Sequence, residues 1–154
     1  MTSFVLKREQ WIPRPLDDVF AFFSDAKNLG LITPSWLGFQ ILMPEPIEMR
    51  SGAKIVYMLR WHRLPVRWVT EITRWEPPTG FDDVQLKGPY SLWHHTHSFQ
   101  AVDAETLMKD TVRYALPLGF LGRLAHAWVV KAEVNAIFDY RARKVSELLG
   151  DSGH

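Results

Sequence analysis

The sequence contains no cysteine. This absence excludes disulfide bonds, a catalytic thiolate and cysteine-ligated zinc or iron–sulfur sites. The chain also lacks an excess of charge of either sign, because 18 Lys and Arg residues stand against 17 Asp and Glu residues. Such a balance gives no support to a nucleic-acid surface, a polybasic membrane patch or an acidic tail. We therefore expect no nucleic-acid partner.

Long apolar runs are missing as well. The longest uncharged stretch, residues 28–44, is interrupted by glycine, proline and polar residues, whereas a membrane span needs about 20 mostly apolar residues. The first residues show no apolar core of a signal peptide. We predict no membrane insertion, and a cytoplasmic location is the expectation.

Aromatic residues, by contrast, are abundant. Seven Trp, nine Phe and four Tyr make up 13% of the 154 residues. The length predicts one domain, which we assign to residues 1–150, with a disordered tail over residues 151–154. This aromatic content exceeds what such a domain needs to fill its core, so it predicts either dense packing or the walls of a cavity.

Periodicity and turn residues predict seven strands and a long C-terminal helix. The strands are expected at residues 4–12, 37–43, 53–63, 66–75, 81–87, 92–102 and 106–116. Two short helices follow the first strand, one starting after Pro15 and one over residues 26–31, and the long helix covers residues 122–149. A change of apolar side along the fourth strand predicts a β-bulge. The fold class is α+β, with a curled antiparallel sheet around the long helix.

Several motifs occur along this order of elements: Asn28-Leu29, Thr33-Pro34-Ser35-Trp36, Leu64-Pro65-Val66-Arg67-Trp68, Phe81-Asp82-Asp83-Val84-Gln85, Gly88-Pro89-Tyr90, Trp93-His94-His95-Thr96-His97-Ser98-Phe99 and Tyr114-Ala115-Leu116-Pro117-Leu118-Gly119. Together they resemble the START-like, helix-grip superfamily (SRPBCC), which includes polyketide cyclases, plant lipid carriers and coenzyme Q-binding proteins. The motifs are most similar to a bacterial subgroup with ligand-binding and cell-division-inhibitor-like members. The resemblance implies a cavity between sheet and helix that holds a small hydrophobic ligand.

The sixth strand carries the most informative residues. Because strand side chains alternate, Trp93, His95, His97 and Phe99 share one face, which we place inward. The two histidines have three interpretations: cavity-wall residues hydrogen-bonded to neighbours, a general acid or base, or ligands of a metal completed by a carboxylate. No HExxH-type helical pair accompanies them, so we predict no metal and no cofactor.

Alternation on the neighbouring strands supplies partners for these histidines. Asp83 and Gln85 share one face of the fifth strand, and Asp110 and Tyr114 share one face of the seventh. If both faces point inward, these side chains and the histidines form one polar patch, because buried polar groups need partners. The alternative is that both carboxylates lie on the surface or at strand ends.

Further cavity residues are predicted outside the polar patch. Tyr57 and Trp68 lie on the middle strands, and Trp128 lies on the long helix, although ordinary core packing is the alternative for them. Phe120, in the glycine loop before that helix, is expected to gate the cavity or simply to dock there. Arg141 is assigned to the negative pole of the helix dipole.

Three functions remain open from the sequence. The leading hypothesis is a non-enzymatic module that binds a small hydrophobic or aromatic ligand such as a lipid, a quinone or a polyketide-like molecule. The second is an enzyme of the polyketide cyclase or dehydratase type, in which His95 or His97 is the base and Tyr114 or Asp110 polarises an oxygen. The third is an interaction domain linked to cell division, which a large exposed apolar patch would favour. Homo-oligomer formation is left open.

Overall fold

The computed structural model describes residues 2–153, and within them an antiparallel sheet curls around one long C-terminal helix. The predicted α+β helix-grip fold is therefore confirmed. The strands are β1 (Phe4–Ile12), β2 (Gln40–Ile41), β3 (Lys54–Trp61), β4 (Leu64–Glu76), β5 (Gly80–Lys87), β6 (Leu92–Val102) and β7 (Glu105–Ala115). The α-helices are α1 (Leu16–Phe23), α2 (Phe120–Ala125) and α3 (Lys131–Leu149).

The helical segment after β1 follows the prediction closely. Helix α1 begins directly after Pro15, and Asp17 and Asp18 occupy its first turn, where the positive pole of the helix dipole favours acids. The second predicted helix is a 3-10 turn, Ala26–Gly30, and another such turn, Ser35–Leu37, follows it. This segment forms one wall of the cavity described below.

The strand order is β1-β7-β6-β5-β4-β3-β2, and every neighbouring pair is antiparallel. Strands β5, β6 and β7, which carry the predicted polar patch, are therefore adjacent. Asp83 pairs with His95, and Asp110 pairs with His97. Because paired residues on adjacent strands project to the same face, both carboxylates lie on the side of the two imidazoles.

Two details at the other end of the sheet differ from the prediction. Strand β2 covers Gln40–Ile41 instead of residues 37–43, because Gly38 at φ 56° ends the preceding 3-10 turn. The turn expected at Leu64-Pro65 is instead formed by His62-Arg63, both of which have positive φ. Positive φ at two central residues suits the tight right-handed twist of a short hairpin, so Leu64 and Pro65 already belong to β4.

The predicted β-bulge in β4 is confirmed. The pairing with β5 shifts at Thr70 and again between Ile72 and Arg74. After the second shift Trp75 packs on Phe81, with ring centroids 5.4 Å apart. Before the bulge, the even-numbered residues Thr70 and Ile72 face the core. After it, the odd-numbered Trp75 does.

A π-helical turn, His126–Val130, joins α2 to α3, so helical backbone runs from residue 120 to residue 149. The buried face of α3 consists of Val134, Phe138, Arg141 and Val145. Helix α3 lies alongside β1, where Arg8 and Gln10 bond to its outer edge. Among residues 2–153, no helix is long and apolar enough to cross a membrane. Residues 151–153 form neither helix nor strand, and His154 lies outside the described residues.

The interior has a polar layer between two apolar clusters. The first cluster, near α1, includes Phe20, Ile72, Phe81, Phe99, Met108 and Val145. The second, near the start of the long helix, includes Val112, Tyr114, Val130, Val134 and Phe138. Along β6, β7 and α3 the inward side chains pass from one cluster to the other through His95, His97, Asp110 and Arg141. Polar side chains from β6, β7 and α3 therefore meet in one layer of the interior.

Candidate functional site

A cavity of about 180 Å³ lies between the sheet, α3 and the segment of 3-10 turns. Ten aromatic side chains line it: Phe22, Phe23, Phe39, Tyr57, Trp61, Trp68, Phe81, Tyr90, Trp93 and Phe138. Its polar lining includes Thr70, Asp83, His95, His97 and Arg141. An apolar protein cavity of about 150 Å³ is large enough to hold benzene, so this cavity has room for a molecule of one or two rings.

The two histidines and two aspartates form two hydrogen-bonded pairs that lie against each other. The Nε2 atom of His95 is 2.7 Å from Oδ1 of Asp110, and Nε2 of His97 is 2.6 Å from Oδ2 of Asp83. The imidazole rings stack on each other with centroids 3.6 Å apart. Because both carboxylates accept hydrogen bonds, Nε2 of each imidazole donates its proton. In a neutral imidazole held in this way, Nδ1 is therefore the nitrogen that retains a lone pair.

Burial and charge set the ionisation of this cluster. Burial raises the pKa of Asp83 and Asp110, but the facing imidazoles and the Arg141 guanidinium outweigh it, so the pKa of each carboxyl lies below its ordinary value. Burial and the neighbouring His95 lower the pKa of His97 to about 4, although Asp83 opposes the shift. The cluster at neutral pH therefore combines two carboxylates, one guanidinium and a neutral His97.

Arg141 is part of this cluster, which corrects its assignment to the helix dipole. Its side chain is buried, and its guanidinium lies 3.8 Å from Asp110 Oδ1. It also lies over the rings of Phe23 and Phe138, at 5.3 and 5.8 Å from their centroids. The cation is therefore held inside by one carboxylate and two aromatic faces.

Asp83, His95 and His97 offer ligand atoms within 4.8 Å of one another. The two imidazoles, however, are inclined by only 29°, so their in-plane lone pairs run side by side. They do not converge at the distance of about 2.0–2.1 Å that a zinc–nitrogen bond needs. This arrangement suits hydrogen bonding better than chelation.

The aromatic wall opposite α3 is ordered by ring contacts. Trp68 stacks on Tyr57 with centroids 6.0 Å apart and meets Trp93 edge-on at 5.5 Å. The Trp68 Nε1 atom donates to Thr70 Oγ1 at 3.1 Å, which satisfies its polar group inside the protein. Burial, and then the charge of Asp83, raise the pKa of the Tyr57 hydroxyl, so it stays protonated and can donate a hydrogen bond.

Six predicted ligand-binding residues line the cavity: Tyr57, Trp68, Asp83, Trp93, His95 and His97. Two others lie behind the wall. Asp110 is 3% exposed and reaches the cavity only through its partners His95 and Arg141. Phe99 packs in the first apolar cluster against Phe20 and Phe81, so its role is core packing.

Gln85 also lies outside the cavity lining, but it holds a residue that belongs to it. Its side-chain amide donates to the Tyr90 carbonyl at 2.7 Å and accepts from the Tyr90 amide at 3.2 Å. A Cβ on Gly88 would approach Gln85 Oε1 to 2.5 Å, which explains glycine in this turn. Gln85 therefore positions Tyr90 against the cavity.

Tyr114 likewise serves a different purpose from the predicted one. Its hydroxyl lies 2.8 Å from His126 Nε2, and the His126 ring stacks on Phe4 at 3.4 Å. These contacts attach the π-helical turn to the sheet. His126, to which the sequence assigned no role, is thus a buried structural partner of Tyr114.

The two remaining predictions point away from the cavity. Phe120 is 66% exposed and Trp128 is 80% exposed, and neither belongs to the lining. The reason is helix rotation: the face with Val130 and Val134 packs on the sheet, which turns Trp128 to the outside. Phe120 therefore does not gate this cavity.

A contact between strand and helix closes one side of the cavity. Trp61, which lines it, donates from Nε1 to Glu133 Oε2 at 3.3 Å. The adjacent His62 places Nε2 at 2.7 Å from Glu133 Oε1. The Glu133 carboxylate on α3 thus binds two residues at the turn of the β3–β4 hairpin.

Sequence reasoning missed Arg141, Phe138, Tyr90 and Thr70 as cavity residues. A signal existed for the first two, because Val134, Phe138, Arg141 and Val145 recur at helical spacing. Thr70 also had a signal, because it lies two residues after the predicted Trp68 on the same strand face. Tyr90 lies in a turn, where alternation along a strand predicts nothing.

A curled sheet and a long helix that enclose an aromatic cavity with a polar centre define a helix-grip protein of the START type. The chain belongs to the family described as polyketide cyclase / dehydrase and lipid transport, whose model matches residues 12–138. A search of curated proteins found no significant match.

Solved structures from three bacteria share the fold. A Thermus thermophilus protein is 18% identical with a TM-score of 0.64, and the match covers 94% of this chain and 99% of that chain. A START superfamily protein from Mycobacterium smegmatis is 11% identical with a TM-score of 0.67, covering 94% and 96%. An Arthrobacter aurescens protein is 15% identical with a TM-score of 0.68, covering 99% and 91%.

Proposed function

We propose that this protein is a binding module for a small, mainly aromatic molecule with one polar end. The observation that carries the proposal is the cavity of about 180 Å³, with aromatic walls and a charged cluster on one side. The aromatic rings would bury the apolar part of the ligand, and Tyr57 would donate to its oxygen. The volume favours one or two fused rings over a long acyl chain.

Filling the cavity is expected to abolish this binding. Leu59→Trp adds an indole to a lining position, so the affinity for 2-naphthol, measured by isothermal titration calorimetry, should fall at least about tenfold. Leu86→Trp, at a 46% exposed position outside the lining, is the matched control and should bind like the wild type. Urea unfolding verifies that both variants fold. Equal affinities in a folded Leu59→Trp variant would contradict the proposal.

The enzyme hypothesis has one specific observation in its favour. His95 lines the cavity, and Asp110 holds its Nε2, so in the neutral imidazole Nδ1 is the nitrogen able to accept a proton from a bound molecule. This Nδ1 lies 3.8 Å from Asp83 Oδ2. His97 is less suited, because Nδ1 of His97 is buried and faces Asp110 Oδ1 at 3.6 Å.

Deuterium exchange separates catalyst from binding module. A general base at His95 should accelerate exchange of the acidic protons of 2-tetralone in D₂O, followed by NMR, and His95→Gln should abolish the acceleration while His62→Gln retains it. We expect no acceleration by the wild type, even where calorimetry shows that 2-tetralone binds. Acceleration that depends on His95 would establish the enzyme instead.

A further inference from the structure

An exposed apolar surface lies at the start of the long helix, away from the cavity lining. It consists of five side chains that are each 48% exposed or more: Leu118, Phe120, Leu121, Leu124 and Trp128. The last three recur at i, i+3 and i+7, so they share one face of the helical segment. We call this surface the outer stripe. The opposite face of the same segment buries Gly122, His126 and Val130, so the outer stripe is not the face that packs on the protein's own core.

The backbone conformation just before α2 keeps Leu118, the first residue of the outer stripe, exposed to solvent. Leu118 and Gly119 both have positive φ, 71° and 50°. For Leu118 this left-handed conformation is unfavourable, and it places a leucine 77% exposed to water. Backbone strain and apolar exposure at Leu118 are both unfavourable for the isolated protein. They therefore point to a binding partner that covers the outer stripe.

Charge identifies the chemistry of that occupant. No acidic residue lies between Asp110 and Glu133 in the sequence. Two exposed basic residues adjoin the outer stripe: the Arg123 guanidinium lies over the Phe120 ring, 5.7 Å from its centroid, and Lys131 follows Trp128 in the sequence. Although the charge of the whole chain is balanced, residues 111–132 contain basic but no acidic side chains, together with the apolar residues of the outer stripe. This combination, with a tryptophan among the apolar residues, suits the interface of an anionic bilayer.

A second copy of the chain suits the stripe less well. A symmetric contact would bring the same patch together with itself. It would then place Arg123 and Lys131 near their own counterparts, with no carboxylate from the segment to offset them. We propose that the outer stripe docks this protein on the surface of an anionic membrane, without spanning it.

Vesicle co-sedimentation tests this proposal with the full chain. The wild type should bind vesicles of equal parts phosphatidylglycerol and phosphatidylcholine, and should bind pure phosphatidylcholine far less. Leu121→Ser combined with Trp128→Ser should weaken binding at least about tenfold, because two apolar side chains no longer enter the interface. Arg123→Gln and Lys131→Gln should each weaken it roughly fivefold, and only on anionic vesicles.

The controls alter exposed apolar residues elsewhere. Trp36→Ser and Leu148→Ser change side chains that are 57% and 42% exposed, and both should bind vesicles like the wild type. Absence of wild-type binding to anionic vesicles would overturn the proposal. So would a wild-type dimer, seen by analytical ultracentrifugation, that Trp128→Ser dissociates. The cavity need not hold a ligand for either result, so the test is independent of the proposed function.

Discussion

Replacing Asp110 by asparagine is expected to lower the free energy of unfolding by about 3–5 kcal/mol. The amide keeps an acceptor for His95 but removes the negative charge 3.8 Å from the Arg141 guanidinium. Arg141 is 8% exposed, so water cannot replace the lost partner. Urea denaturation at pH 7, followed by circular dichroism, measures the change.

A surface carboxylate provides the matched control. Asp139 is also paired with an arginine, Arg8, at 2.6 Å, but its side chain is 56% exposed. Asp139→Asn should therefore cost about 0.2–1 kcal/mol. Removing both buried charges, with Asp110→Asn and Arg141→Met together, should cost less than Asp110→Asn alone. A loss from Asp110→Asn no larger than that from Asp139→Asn would refute the role given to the buried pair.

The second large effect is a loss of stability in mild acid. The pKa of His97 is lowered from 6.5 to about 4 in the folded protein. Between these two pH values, His97 is therefore protonated in the unfolded chain and neutral in the folded one. The free energy of unfolding should therefore be flat above about pH 7 and fall by up to about 3 kcal/mol between pH 6.5 and 4. His126, whose pKa burial also lowers, adds to this fall.

Substitution separates the contributions. His97→Gln does not titrate at this position, so the free energy of unfolding of this variant should vary less with pH between 6.5 and 4 than that of the wild type. Below about pH 4 the sign stays the same, because the depressed pKa of Asp83 and Asp110 makes the unfolded chain bind more protons. Unfolding free energies from urea titrations at each pH test this. Identical slopes for His97→Gln and the wild type would show that His97 is not the titrating group.

Strand residues of the site were predictable because alternation is a local property. His95 and His97 point inward with Trp93, and Asp110 points inward on the next strand, as spacing by two residues requires. Antiparallel neighbours then bring the carboxylates and imidazoles together. The seven-stranded sheet followed from the spacing of turns, although His62-Arg63 took the turn expected at Leu64-Pro65.

Helix residues were less predictable because both faces of the segment are apolar near its start. Leu124 and Trp128 are spaced as regularly as Val130 and Val134, and only packing against the sheet selects the second pair. Arg141 was missed for the same reason, since its burial depends on how α3 is rotated. Trp128 therefore fell on the outside, although composition and spacing suited the cavity equally well.

The cluster of His95, His97, Asp83 and Asp110 spans three adjacent strands, and this has a consequence for folding fidelity. A slip by one residue turns every side chain of a strand to the opposite face. A slip by two residues keeps the same face inward, and an all-apolar centre could absorb that slip by repacking. Here a misaligned β7 would move Asp110 away from His95 and leave Arg141 without its carboxylate. We infer that the polar layer makes shifted strand pairings less stable than the native one, so the sheet folds with a single register.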